Sequence, residues 1–138
     1  MSLATPRSPI RDGIASIIGH GVATRFPKLR FAPVEFGTEW VRPLIQHMQA
    51  VYETSPEYFD EDPYMIFKRN IFVHAFDETD PAGLAELIGV DNVMFGSDFP
   101  HMEGLADPLS YSELVEQTMS PEDTAKVMGG NLARILKV

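Results

Sequence analysis

Apolar residues near the start of the chain recur at helical spacing. Ile14, Ile17, Ile18, Val22 and Phe26 share one stripe of a helix over about 10–26, the i, i+3, i+4 pattern of a face turned to a core. Ser8-Pro9 supplies a cap and an N1 proline, and Phe26-Pro27 ends the helix because the residue before proline disfavours the α region. The short apolar segment 29–34 predicts a strand. Pro33 cannot donate to a ladder, so that strand belongs at an edge or carries an irregularity. Trp40, Leu44, Met48 and Val51 form the apolar face of a helix over 40–53, with Pro43 tolerable in its first turn. Segment 54–63, acidic and containing two prolines, predicts a solvated loop, followed by a short helix over 64–68. The β-branched and aromatic run 70–76 gives the clearest strand. Asp80-Pro81 opens a helix over 82–88 that stops at Gly89. A third strand, 92–96, is apolar on both faces, as in parallel sheets covered by helices. After a loop over 97–107 come helices over 109–119 and 121–136. Ser120, Pro121 and Asp123 start the second, and Gly129-Gly130 can break it.

Strands alternating with helices predict right-handed parallel βαβ units. Three strands are few for a doubly wound domain, and a complete (β/α)8 barrel needs roughly 200–250 residues against 138 here. Composition is that of one folded domain, 44% hydrophobic and 22% charged. Lys+Arg 11 against Asp+Glu 20 leaves a net charge of −9, which argues against nucleic acid and against an anionic membrane surface as partners. No apolar run can cross a bilayer, and the N-terminus lacks a secretory apolar centre. Cysteine is absent. Together these lead us to expect a cytoplasmic protein, with 1–8 a disordered N-terminus or cloning scar and 9–138 the folded unit.

In parallel α/β folds, ligands gather beyond the carboxyl ends of the strands. Strand one delivers Glu35 there; strand two delivers Asp77-Glu78, with His74 inside it; strand three delivers Ser97-Asp98-Phe99-Pro100-His101. An Asp and a His three residues apart in such a loop suit a divalent metal or general acid–base work. Each has a structural alternative. Asp98 could cap a turn, Glu35 could pair with a surface cation, and His74 could be a hydrogen-bonded core residue. His20 and His47 read as surface residues, 60–62 as a solvated charge run, and the methionines as core filler.

The stretch Asn92-Val93-Met94-Phe95-Gly96-Ser97-Asp98-Phe99-Pro100-His101, preceded by Ile88-Gly89-Val90-Asp91, resembles the C-terminal half of the amidohydrolase-related TIM-barrel family. That group includes the aminocarboxymuconate-semialdehyde decarboxylase-like enzymes. Gly129-Gly130-Asn131-Leu132-Ala133-Arg134-Ile135-Leu136 extends the likeness, and 21–31 resembles the family's helix five and strand six. The resemblance implies an α/β fold: a partial (β/α)8 TIM barrel of about three parallel βα units, strands six to eight, plus a preceding helix. It also implies a metal-dependent hydrolase or non-oxidative decarboxylase of small organic, often aromatic or carboxylated, substrates. Family members hold their metal, usually zinc, with a His-x-His pair on strand one, histidines on strands five and six, and an Asp on strand eight. Asp98 matches that Asp, as metal ligand and as acceptor of a proton from metal-bound water. Glu35 stands at the position that is often the strand-six histidine and is a second candidate ligand. His101 and His74, on the same rim, are the candidate substrate-binding residues.

The departures shape the expectation. The chain has no His-x-His pair and nothing corresponding to strands one to five. Two carboxylates fall short of the three protein ligands of a catalytic zinc. We therefore expect a fragment that is inactive alone and carries little or no stoichiometric metal. The competing expectation is a non-catalytic half-barrel that binds a small molecule or serves assembly. An open flavodoxin-like domain would want a Gly-rich phosphate loop, which Phe36-Gly37-Thr38-Glu39 does not provide. A three-strand remnant should also leave its inner face open. If about 500 Å² stay exposed, the deficit is of order 10 kcal/mol at roughly 25 cal/mol per Å². That predicts a homodimer or larger homo-oligomer, or a swap of the N-terminal helix.

Overall fold

The computed structural model describes residues 8–76, 78–102 and 104–138. The terminal segment 1–7, with Asp77 and Glu103, lies outside the described residues.

Helix α1 (Pro9–Gly19) starts as the sequence predicts, with the Ser8 hydroxyl accepting the Arg11 N–H. It does not run on to 26. Gly21 takes a left-handed φ of 69°, and α2 (Val22–Arg25) is a separate turn. The break resets the helical phase, so Ala23 is buried while Phe26, expected on the buried stripe, is 56% exposed. The expected first strand shrinks to one parallel bridge, Phe31 to Ile71, in keeping with the irregularity that Pro33 imposes.

Helix α3 (Val41–Thr54) buries Val41, Leu44, Ile45 and Met48 and carries Pro43 in its first turn. Helix α4 (Pro63–Asn70), capped by the Asp62 carboxylate, takes in Asn70, which the sequence placed in the following strand. Strand β1 (Val73–His74) pairs in parallel with β2 (Val93–Met94), Val73 opposite Val93 and His74 opposite Met94. Between them, α5 (Pro81–Ile88) begins at the Asp80 cap, and Gly89 follows it with a φ of 94°. Then come α6 (Ser110–Thr118), α7 (Pro121–Ala125) under the Ser120 cap, a wide turn over Lys126–Gly130 broken at Gly129, and α8 (Asn131–Leu136). The result is an α/β fold whose small parallel sheet has the Phe31 segment on one side of β1 and β2 on the other. Among the described residues no helix is long and apolar enough to cross a membrane.

Alternation along the sheet separates two faces. Ile71, Val73, Ala75 and Val93 join the helices in one core with Ile14, Ile18, Leu44, Phe67, Ile88 and Val115. Phe72, His74, Phe76 and Met94 point the other way. That face is not open as the sequence argument supposed: Phe72 is 3% exposed, Met94 4% and Phe76 8%. The Arg134 guanidinium lies over the Phe72 ring, 5.8 Å from its centroid, so the chain itself covers part of this surface.

At the amino ends of the strands sits a repeated device. Buried Asn70 donates both amide hydrogens, to the Pro27 and Leu29 carbonyls. Asn92 donates to Lys68 and Ile71, and Asn131 to Val90 and Val93. Each clips the chain just before or at the start of a strand, and Arg134 adds a bond to the Asp91 carbonyl. The Gly-Asn-x-Ala-Arg motif therefore serves the floor of the sheet.

Candidate functional site

Parallel strands bring their carboxyl ends to one rim. Glu35 arrives from the Phe31 segment, Asp98 from β2, and His74 ends the middle strand. Glu35 and Asp98 both have left-handed backbones, with φ of 64° and 58°, conformations uncommon for residues with a side chain. After Asp98 the chain folds tightly back. The Phe99 N–H donates to the Ser97 hydroxyl, the His101 N–H to the Asp98 carbonyl and the Leu105 N–H to the Ser97 carbonyl; the Phe99–Pro100 bond is cis. Gly104 closes this turn because a Cβ there would stand 2.9 Å from the Asp98 and Ser97 carbonyl oxygens.

The turn aims His101 at both carboxylates. Its Nδ1 lies 3.3 Å from Asp98 Oδ1 and in contact with Glu35 Oε1. Glu35, Asp98 and His101 each offer one ligand atom, all within 4.8 Å of one another. Glu35 and His101 are about half exposed, whereas the Asp98 side chain is 4% exposed. Asp98 Oδ2 is buried without a hydrogen-bond partner, an arrangement that costs free energy unless a cation or donor completes it. Two carboxylate oxygens and an imidazole nitrogen form a donor set that suits a divalent transition metal. The residues present therefore fit such an ion, and His101, expected at the substrate, stands where it could be a third donor beside Glu35 and Asp98.

His74, the other residue assigned to substrate, is 7% exposed. Its Nδ1 accepts the Glu35 N–H at 3.3 Å, and its ring lies 5.2 Å from that of Phe76. Glu78 stays out of the cluster, bracing neighbouring loops through Thr38 Oγ1 and the Asp80 N–H, each at 2.7 Å; Asp77 is outside the described residues. His20 and His47 are exposed on the helical side, as expected. The Asp98–His101 spacing was visible in the sequence. What it could not show is that Glu35, far away in the chain, closes on the same imidazole.

Residues 11–138 match the amidohydrolase family model. The chain belongs to the amidohydrolase family. It is 41% identical to an amidohydrolase from Mycobacterium avium subsp. paratuberculosis K-10, with a TM-score of 0.86 over 92% of this chain and 33% of that one. It shares the fold of 5-carboxyvanillate decarboxylase from Sphingomonas paucimobilis at 22% identity and a TM-score of 0.69, covering 92% of this chain and 39% of the decarboxylase. It also shares that of a dihydroxybenzoic acid decarboxylase from Polaromonas sp. JS666, whose structure holds manganese and the inhibitor 2-nitroresorcinol. There the identity is 22%, the TM-score 0.67 and the coverage 92% and 39%. The chain thus spans between a third and two fifths of the length of these amidohydrolase relatives. No curated protein matches it.

Proposed function

We propose that this chain forms the C-terminal part, strands six to eight, of an amidohydrolase (β/α)8 barrel and contributes to a metal-dependent hydrolase or decarboxylase site for a small aromatic or carboxylated substrate. Glu35, Asp98 and His101 would hold a divalent cation, zinc or manganese. Such a cation supplies Lewis acidity, polarising a bound oxygen and easing loss of a proton from water. Asp98 offers Oδ2, unpartnered, as the oxygen that accepts a proton. Glu35 and His101 border a shallow, open depression of about 570 Å³ edged by Phe36, Pro100 and Met102, an apolar surface on which a flat ring could lie.

The observation that carries this reading is the buried, unpaired Asp98 oxygen beside a carboxylate and an imidazole that already converge. Three ligands at an open rim hold a cation loosely, so the isolated chain should carry less than one ion and turn over nothing by itself. It should still bind Mn²⁺ in a saturable 1:1 titration followed by water-proton relaxation, and Asp98→Asn should weaken that binding at least about tenfold, since a charged ligand is lost. Absence of saturable binding, or equal binding by Asp98→Asn, overturns the proposal.

A second reading rests on the self-coverage of Phe72, Phe76 and Met94: a non-catalytic half-barrel serving assembly or small-molecule binding. The same titration separates the two, because this reading gives Asp98 no special role. This second reading includes a homo-oligomer, with exposed Phe36, Phe99 and Met102 at the rim as the apolar surface it would cover.

A further inference from the structure

We propose that His74 is a positioning residue: it holds Glu35 in the left-handed conformation from which the Glu35 carboxylate reaches His101 and Asp98. This deepens the reading above and rests on Glu35 belonging to that site. His74 occupies the middle strand, flanked by the Phe31 segment and by β2. Its ring touches both neighbours. On one side Nδ1 accepts the Glu35 N–H at 3.3 Å. On the other the Nε2 edge of the ring comes so close to Gly96 that a Cβ there would overlap Nε2 and stand 2.8 Å from Cδ2. Phe76 packs beside the ring at 31° between planes.

Two consequences of this geometry decide the role. A polar side chain on a face otherwise made of Phe72, Phe76 and Met94 is costly unless it is hydrogen-bonded, and its bond is spent on a backbone whose φ of 64° needs such support. With Nδ1 taken by the Glu35 N–H, only the Nε2 edge of the ring, lying beside Gly96, is left to meet another group. Accepting at Nδ1 also sets the neutral tautomer, with the proton on Nε2. The first glycine of Gly-Ser-Asp-x-Pro-His then gains a specific purpose: it makes room for the imidazole that arranges the residue on the opposite strand.

The test is nuclear magnetic resonance on the whole chain with ¹⁵N label and no added metal. His74 should show Nδ1 as the unprotonated nitrogen. His74→Phe removes the acceptor, so the Glu35 amide should exchange about fivefold faster, the factor one net hydrogen bond supports, and the His101 ring signals should move as Glu35 is released. His74→Asn places an oxygen near the Nδ1 position and should restore both. Gly96→Ala, which displaces the ring, should reproduce His74→Phe. A His74 protonated on Nδ1, or a His74→Phe chain with unchanged Glu35 and His101 signals, overturns the inference. Should His74→Phe fail to fold, the wild-type tautomer and the Gly96→Ala spectra decide. Because no metal is present, failure of the Mn²⁺ titration strikes the metal reading and leaves this result independent.

Discussion

The two ends of the small sheet solve opposite problems. At the amino end Asn70, Asn92 and Asn131 are buried, and each donates both amide hydrogens to backbone carbonyls. At the carboxyl end Glu35 and Asp98 have left-handed backbones, Asp98 Oδ2 has no partner, and Phe99 and Met102 are 81% and 100% exposed. Polar groups are satisfied at one end, whereas at the other a carboxylate, an imidazole and an unpartnered carboxylate oxygen converge, as the proposed site requires. Strained backbone at a rim beside an orphaned carboxylate oxygen is the pattern expected of a site rather than of a scaffold.

The contrast is sharpened most by Asn131→Ala. It strands two carbonyls, those of Val90 and Val93, and should lower stability by about 2–4 kcal/mol in urea unfolding. An intermediate effect belongs to the helical flank, where Arg69 grips Glu61 with two hydrogen bonds of 2.7 and 2.8 Å. Both side chains are about one third exposed, so Glu61→Gln should cost no more than about 1 kcal/mol at neutral pH. The hydrogen bonds from Arg69 hold the Glu61 carboxyl below its ordinary value of 4.5. A depressed folded value means that the pair's contribution is complete above the ordinary value and is lost as the pH falls through the depressed one. The stability gap between wild type and Glu61→Gln should therefore shrink only on acidification below about 4.5. The smallest effect is expected at the rim. Asp98→Asn keeps the size of the side chain and a residue tolerant of left-handed backbone, and it removes a charge whose buried Oδ2 has no partner, so it should cost no stability. Equal losses for Asn131→Ala and Asp98→Asn in the same urea titrations would erase the distinction between the two ends.

The starts and stops of the helices were legible because they are written locally. Ser8-Pro9, Asp80-Pro81 and Ser120-Pro121 each open a helix through a side-chain oxygen, and Gly89 and Gly129 act where they were read as breaks. Local rules failed where one glycine competes with an apolar stripe: Gly21 won, and Phe26 turned outward. Strand lengths were overestimated because a run buried on both faces carries no period to mark its ends. Asn70 illustrates this, since its amide is needed at the close of α4 to hold the preceding loop. The rim residues were legible singly, through their positions after strands. Their meeting was not, because it depends on which strands are neighbours and on the reversal of the chain after Asp98. The supposed open inner face failed for a related reason: the sequence offered no sign that Arg134 would lie over Phe72.

The asparagine clips also impose a direction on assembly. In every case the amide belongs to a residue later in the chain than the carbonyls it holds: 70 fastens 27 and 29, 92 fastens 68 and 71, and 131 fastens 90 and 93. A polypeptide emerging from the ribosome can latch each strand entrance only once the next stretch has appeared. The last latch then waits for the opening residue of α8.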